Sequence, residues 1–154
     1  MNLPRGQVVA VCLSNGGIPR TAVAAAVLTP QGFQGDGHRY EQHYARERAV
    51  TLFNLELLQR FADDVPSFPP GSVGENITLA GIDLQQLSPG DCLRIGEAEV
   101  CLEKRWQPCH AIDAATEATS LNSAGWWGYF ASVVTPGMVC CEAEAEVICQ
   151  ASSP

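Results

Sequence analysis

The chain has few basic residues and no long apolar run. Lysine and arginine together number nine against 17 aspartates and glutamates, which gives a formal net charge of -8. This balance opposes the broad positive surface that a phosphate backbone requires, so we expect no nucleic-acid partner. The longest apolar stretches, such as residues 21–28, are far shorter than the roughly 20 residues of a membrane-spanning helix. The first residues also lack the apolar stretch of a signal peptide, so we expect no membrane partner and a cytoplasmic location.

Several short motifs are absent as well. The sequence has no Gly-Lys-Ser/Thr ending of a phosphate-binding loop, no Gly-x-Gly-x-x-Gly, no Cys-x-x-Cys and no motif for a flavin, a haem or an iron–sulfur cluster. Seven cysteines without an export signal predict reduced thiols, and the odd count leaves at least one unpaired within the chain. Five of them fall in apolar or alternating segments, where we expect small buried hydrophobes: Cys12, Cys101, Cys140, Cys141 and Cys149.

Short apolar segments separated by Pro-Gly turns predict a mainly β fold. A chain of 154 residues that is 46% hydrophobic is long enough for one core, so we expect a single domain over residues 1–154. Strands are predicted at 7–13, 21–29 and 138–149, with a hairpin at 91–103 that turns at Gly96-Glu97. The frequent turns favour a closed or strongly bent sheet over a doubly wound parallel one.

Helices are predicted in only two places. Residues 51–62 carry Leu52, Leu55 and Leu58 on one helical stripe, and the polar run that follows ends the helix. A second, less regular helix is predicted at 111–119, where alanine is common. The expected class is therefore mainly β with a few helices, an α+β fold built on a β-barrel.

Two glycine-rich segments present polar side chains. Residues 32–38 place three glycines around Asp36 and His38, so the backbone can turn tightly and offer these groups to a ligand. Residues 70–78 lead a glycine-framed Glu75-Asn76 pair into a strand, where a carboxylate and an amide can bind the donor and acceptor edge of a heterocycle. Both segments have a structural alternative, in which the polar side chains only fix their own loops by bonding to the backbone.

Cys109 differs from the other cysteines in its surroundings. It follows a proline at the end of a predicted strand, close to Lys104, Arg105 and His110. Cationic neighbours lower the pKa of a thiol, and the thiolate is the form that binds metal, accepts sulfur or attacks an electrophile. A functional Cys109 and an inert one both remain open from the residues alone.

Taken in order, these segments resemble a standalone MOSC domain, the module shared with molybdenum-cofactor sulfurases. The resemblance extends over about residues 5–149. Each matching segment is short, but their joint occurrence in this order is specific. The segments are 16–20, 32–38, 48–52 with Glu56, 70–78, 81–83, 87–91, 94–96 and 108–109.

The resemblance implies a β-barrel-like fold with a cleft that binds the molybdenum cofactor (molybdopterin), a pterin dithiolene with a phosphate tail. Cys109 would be the sulfur carrier or the thiolate ligand of molybdenum, for which a soft thiolate is well suited. Arg20 and Arg48 would hold the phosphate or a pterin oxygen. The remaining residues implied to line the cleft are Asp36, His38, Glu75 and Asn76.

Whether the protein is an enzyme stays open at this point. The resemblance implies either a reductase of N-hydroxylated compounds that works with an electron-donor protein, or a carrier of cofactor or activated sulfur that works with cofactor-biosynthesis proteins. One alternative is a non-catalytic ligand-binding or assembly module in which Cys109 is incidental. Another is a metal-free thiol enzyme in which His110 activates Cys109.

Overall fold

A computed structural model of the chain describes residues 3–13, 21–36, 48–64, 70–71, 73–106 and 128–151. In these ranges the helices are α1 (Leu55–Asp64) and a 3-10 turn at Leu84–Gln86. No helix in these ranges has the length and apolar character that crossing a bilayer requires. The strands are β1 (Arg5–Leu13), β2 (Thr21–Val23), β3 (Ala25–Thr29), β4 (Gly32–Phe33), β5 (Val50–Asn54), β6 (Ile77–Ala80), β7 (Cys92–Ile95), β8 (Ala98–Trp106), β9 (Gly128–Thr135), β10 (Gly137–Cys140) and β11 (Glu144–Cys149).

Seven of these strands form a closed barrel. Their order is β11-β7-β8-β9-β5-β6-β1, and pairing of β1 with β11, with Arg5 opposite Glu146, closes the ring. Strands β5 and β6 pair in parallel, and the other pairs in the ring are antiparallel. Strand β2 pairs with the end of β1, outside the ring. Strands β10, β3 and β4 form a separate small sheet. The mainly β, barrel-type fold expected from the sequence is confirmed.

The core fills the interior of the barrel. Side chains alternate along a strand between inside and outside, so that in β8 Val100 and Leu102 are buried while Glu103 is exposed. Tyr129 is fully buried, and its hydroxyl donates to the Leu87 carbonyl at 2.6 Å. The largest fully buried side chains of this core besides Tyr129 are Leu28, Leu52, Ile77, Leu79, Ile82, Leu84, Leu93 and Ile95. Phe53 and Leu58 are also fully buried but do not belong to this core cluster.

Several predicted strands are observed, but two of them are divided. Strand β1 and the β7–β8 hairpin, which turns at Gly96-Glu97, are confirmed. The segment 21–29 forms two strands, β2 and β3, which separate at Ala24 and join different sheets. The segment 138–149 also forms two, because the chain turns at Cys141 and Glu142, whose φ of 73° breaks the extended backbone.

The helix predicted at 51–62 is wrong at its start. Residues 51–54 belong to strand β5, in which Leu52 pairs with Ile77 on one side and Tyr129 on the other. A run of β-branched and aromatic residues fits a pleated strand, and pairing on both sides overrides the leucine spacing. The helix itself begins at Leu55. The second predicted helix, at 111–119, lies outside the described residues.

The prediction of reduced, buried cysteines is also corrected. Cys92 and Cys101 lie opposite each other on β7 and β8, with Cα atoms 4.1 Å apart, and form a disulfide. The remaining cysteines on β10, the following turn and β11 are exposed, whereas Cys12 is buried as expected. The two-residue turn at Gly96-Glu97 sets this register, because Cys92 and Cys101 lie equally far from it on the two strands. The pairing was therefore implicit in the predicted hairpin and was overlooked because reduced thiols were expected.

Asn54 joins the end of β5 to the chain that follows β6. Its Nδ2 donates to the carbonyls of Leu79 (3.3 Å) and Ile82 (2.6 Å), and its Oδ1 accepts from the Leu84 amide at 2.9 Å. Asn54 is only 2% exposed, so water cannot replace these partners.

We expect Asn54→Ala to lower the free energy of unfolding by about 2–4 kcal/mol, because it leaves buried backbone groups without partners. Urea unfolding followed by circular dichroism would measure this. Thr135→Ala, at an exposed position of β9, is the matched control and should change stability by less than about 0.5 kcal/mol. A similar small effect for Asn54→Ala would contradict the role assigned to this side chain.

Candidate functional site

The Asn76 side chain lies at the centre of a buried hydrogen-bond network at one end of the barrel. Asn76 immediately precedes β6 and is 2% exposed. Its Nδ2 donates to the Cys12 carbonyl at 3.1 Å, near the end of β1, and to Asp36 Oδ2 at 2.9 Å. Its Oδ1 accepts from the Thr51 amide at 3.1 Å. One amide group thus connects two barrel strands and a turn from the small sheet.

Thr51 completes this network from β5. The Thr51 backbone amide donates to Asn76 Oδ1. In return, the Asn76 backbone amide donates to the Thr51 carbonyl at 3.1 Å and lies 2.9 Å from the Thr51 hydroxyl oxygen. The Thr51 hydroxyl has one proton, which it can give either to Asn76 Oδ1 at 3.2 Å or to the Gly74 carbonyl at 3.4 Å. Thr51 was predicted to lie in a helix, so this role was missed. The signal was its place in the 48–52 segment of the family resemblance.

Asp36 belongs to the turn that follows β4. Its amide donates to the Phe33 carbonyl at 3.2 Å, and its half-buried carboxylate reaches Asn76, 40 residues further along the chain. The two glycine-rich segments identified in the sequence therefore meet at this bond. His38 follows two residues later and lies outside the described residues.

Glu75 is the buried acid of the second glycine-rich segment. Gly71 and Gly74 have φ values of 92° and 93°, which side-chain-bearing residues rarely adopt. The Gly74 amide donates to the Gly71 carbonyl at 3.0 Å, and Glu75 follows in a fully buried position. Thr78 Oγ1 donates to Glu75 Oε2 at 2.8 Å, but Glu75 Oε1 has no hydrogen-bond partner among the described residues.

The protonation of Glu75 reflects this burial. Loss of hydration raises the pKa of the Glu75 carboxyl above its ordinary value of 4.5. The hydrogen bond from Thr78 and the nearby backbone of Gly71, Val73 and Glu75 itself act in the opposite direction, but burial is the largest influence. The group is thereby biased towards the neutral acid, which can both donate and accept a hydrogen bond.

Arg48 lies beside an aromatic cluster on the outside of the barrel. Its guanidinium carbon is 5.1 Å from the centroid of the Phe130 ring, within range of a cation–π contact. Phe130 pairs in register with Thr51, which links the cluster to the Asn76 network. The Trp106 ring packs 6.0 Å from Phe130 and 6.1 Å from Phe53, between centroids.

The other predicted site residues are not described by the structure. Trp106 ends β8 three residues before Cys109, but Cys109 itself, Arg20 and His38 lie outside the described residues. The structure thus brings Asp36 and Asn76 together, with Glu75 and Arg48 on adjoining segments. Within the described part of the chain, no three His, Cys, Asp or Glu side chains converge as a metal site.

A closed barrel with two glycine-rich segments joined at one end is the architecture that the sequence led us to expect. Comparison with known proteins identifies the family. The MOSC domain family model matches residues 39–149, well over half of the chain. The chain therefore belongs to the MOSC domain family.

Two proteins of known sequence are similar to most of the chain. The chain is 27% identical over 135 residues to Protein YiiM of Escherichia coli and 27% identical over 143 residues to the uncharacterized protein YflK of Bacillus subtilis. These alignments cover 82% and 88% of the chain but only 60% and 64% of the relatives. The chain thus spans less than two thirds of the length of either relative.

Solved structures share the fold. YiiM from Geobacillus stearothermophilus matches with a TM-score of 0.71 at 20% identity, covering 93% of this chain and 75% of that one. The YUAD protein of Bacillus subtilis matches with a TM-score of 0.72 at 18% identity, covering 93% and 95%. E. coli YiiM matches with a TM-score of 0.69 at 25% identity, covering 97% and 72%.

The Asp36–Asn76 contact can be tested by exchanging its groups. We expect Asn76→Asp to lower the free energy of unfolding by about 2–4 kcal/mol, because a second carboxylate would face Asp36 and the Cys12 carbonyl would lose its donor. Adding Asp36→Asn restores one amide–carboxylate pair and should recover about 1 kcal/mol. Chemical denaturation of the two single variants and the double variant measures the coupling. Simple additivity would contradict a direct contact.

The raised pKa of Glu75 predicts a pH dependence of stability. Between the unfolded-state value and the higher folded-state value, the folded protein keeps a proton that the unfolded chain has lost. The contribution of Glu75 is therefore greatest below about 4.5 and decreases as the pH rises through this window, by at most about 1.4 kcal/mol per pH unit. We expect Glu75→Gln to remove this decrease.

Unfolding free energies of the wild type and Glu75→Gln, measured from pH 4.5 upward, would test the prediction. Glu144→Gln removes the same charge from an exposed position of β11 and is the matched control. Parallel pH curves for wild type and Glu75→Gln would show that the buried carboxyl is not responsible.

Proposed function

We propose that this protein binds the molybdenum cofactor and acts either as a reductase of N-hydroxylated compounds or as a carrier of cofactor or activated sulfur. The observation that carries the proposal is the 2.9 Å bond between Asp36 and Asn76. It unites the two glycine-rich segments that the family resemblance assigns to one cleft. A cytoplasmic location and a partner protein, either an electron donor or a cofactor-biosynthesis protein, are parts of this proposal.

The described residues fit a pterin with an anionic tail in two respects. Glu75 Oε1 is buried without a partner among the described residues, and a carboxyl biased towards its neutral form can pair with the donor and acceptor edge of a pterin. Arg48 supplies a half-buried cation next to the same network, where a phosphate or a pterin oxygen can be bound. Arg20 and His38 are proposed to contribute from outside the described residues.

Cys109 is proposed as the thiolate ligand of molybdenum or the carrier of sulfur. When bound, the cofactor would supply a metal centre able to accept oxygen from a substrate. In the reductase version, R-NHOH, two electrons and two protons give R-NH2 and water. The sequence has no flavin, haem or iron–sulfur motif, so a partner protein would have to provide the electrons.

A non-catalytic module with the same fold is the alternative from another class. Every interaction of Asn76 described above also stabilises the barrel and requires no cofactor. The network by itself therefore also fits a module that binds a ligand or assembles with a partner without catalysis. A metal-free thiol enzyme based on Cys109 and His110 is the third candidate. Cofactor content separates these alternatives from the proposal.

The proposal predicts molybdenum in protein purified from cells that make the cofactor. We expect the wild type to carry it and Cys109→Ser to lose about tenfold or more, because a hydroxyl is a far poorer ligand than a thiolate for a soft centre. Elemental analysis would measure the metal, and fluorescence of the released, oxidised pterin would measure the organic part. Cys141→Ser, which removes an exposed cysteine, is the matched control and should bind like the wild type.

Equal molybdenum in wild type and Cys109→Ser would rule out Cys109 as the ligand. Absence of both metal and pterin from the wild type would favour the module or the thiol enzyme. With loaded protein, consumption of phenylhydroxylamine in the presence of reduced methyl viologen would support the reductase over the carrier.

A further inference from the structure

Three cysteines lie side by side on the outside of the barrel. Strands β11, β7 and β8 are neighbours in the sheet, with β7 in the middle. Cys92 on β7 is opposite Cys101 on β8 and also opposite Cys149 on β11. Cys92 and Cys101 form a disulfide, whereas Cys149 is a free, exposed thiol.

The three cysteines form one row of opposed residues across β11, β7 and β8, and Glu146, Arg94 and Glu99 form the adjacent row. In that adjacent row a side chain on β7 contacts both neighbouring strands. Arg94 lies two residues after Cys92, on the same face of the sheet. Arg94 Nη1 lies 2.6 Å from Glu146 Oε1 on β11, and Arg94 Nη2 lies 3.8 Å from Glu99 Oε1 on β8. Cys92 occupies the equivalent central position in its own row.

The end of β11 is fixed beside the start of β7. Asp91, directly before Cys92, is 4% exposed, and its carboxylate accepts two backbone hydrogen bonds. One comes from Ala151, two residues after Cys149, at 2.7 Å, and the other from Ser88 at 2.9 Å. The register of this strand pair shifts between Val147 and Cys149, so that Cys149, rather than its predecessor, is opposite Cys92.

We propose that Cys149, Cys92 and Cys101 form a thiol–disulfide exchange site, in which Cys92 can be bonded to either neighbour. Opposed residues of antiparallel strands have Cα atoms about 4.5 or 5.5 Å apart, and both values lie within the range that a disulfide can bridge. Cys101 and Cys149 are separated by two strand spacings, about 10 Å, which is too far for a direct bond. Exchange must therefore pass through Cys92.

The exchange step needs no external oxidant or reductant. The Cys149 thiolate attacks Cys92 Sγ, a Cys149–Cys92 bond forms, the Cys92–Cys101 bond breaks, and Cys101 leaves as a thiolate that takes a proton from water. Cys149 and Cys101 flank Cys92 from opposite sides, which is the arrangement that displacement at sulfur requires. The number of disulfides is unchanged.

The two disulfides constrain the chain differently. The Cys92–Cys101 bond spans nine residues within one hairpin. A Cys92–Cys149 bond would span 149 − 92 = 57 residues and would link β7 to β11, one of the two strands that close the barrel. A longer closed loop restricts the unfolded chain more strongly, so the second bond should stabilise the barrel more.

A small external thiol such as glutathione is the ligand class that this site would accept. Its thiolate can attack an exposed Cys149 in the Cys92–Cys149 form, which leaves a mixed disulfide on Cys149 and releases the Cys92 thiolate. The site shares no residue with the proposed molybdenum site, so the two proposals can fail independently.

Disulfide mapping of the full chain tests the proposal. Protein equilibrated in a buffer of reduced and oxidised glutathione is alkylated rapidly with N-ethylmaleimide, digested and analysed by mass spectrometry. We expect both the 92–101 and the 92–149 linkages in the wild type, complete loss of the 92–149 linkage in Cys149→Ser, and formation of it in Cys101→Ser. Cys92→Ser should abolish every linkage within the row.

Cys141→Ser removes an exposed cysteine elsewhere and should leave the wild-type pattern unchanged. Circular dichroism checks that each variant is folded. If Cys101→Ser fails to fold, the wild-type map decides, because it requires no substitution. A wild type with only the 92–101 linkage, in which Cys149 is fully alkylated, would overturn the proposal, as would a folded Cys101→Ser variant with no 92–149 linkage.

Discussion

The carboxamide of Asn76 is the constraint on which the organisation of this end of the barrel depends. It bonds at once to β1, to β5 and to the turn that carries Asp36, so these three segments cannot shift independently. A buried polar group is costly unless its hydrogen bonds are made, and this one is surrounded by partners. The same contacts therefore stabilise the barrel and fix the relative positions of the candidate binding segments.

Much of the fold and part of the site could be predicted from the sequence, for identifiable physical reasons. The β7–β8 hairpin was predictable because alternation and the Gly96-Glu97 turn are local signals. The segment 51–54 was not, because its leucine spacing fits a helix and only pairing with β6 and β9 decides for a strand. The Cys92–Cys101 pairing follows from the same turn, whereas the position of Cys149 opposite Cys92 depends on pairing between strands far apart in the sequence, which no local signal encodes.

The candidate site was found through ordered motifs and not through residue chemistry alone. Asp36 and Asn76 are 40 residues apart, and no local pattern predicts their contact. The family resemblance, in contrast, implies that both residues line one cleft. Thr51 was overlooked because the leucine spacing predicted a helix at this position, although it lies in a segment that carries the family resemblance. Its backbone and hydroxyl bonds with Asn76 show its role. Glu75 was recognised as a carboxylate from the sequence, but its burial, and the lack of a hydrogen-bond partner for Oε1 within the described ranges, are visible only in the fold.

The pairing of β1 with β11 has a consequence for how the protein is made. The ring closes between segments near opposite ends of the chain, with Gly6 opposite Ala145. A ribosome releases the chain from its N-terminal side, so β1 emerges long before the strand that must cover its free edge. Contacts this distant in sequence form slowly. During synthesis the β1 edge is therefore open to other chains, and a chaperone that shields it would raise the yield of closed barrels.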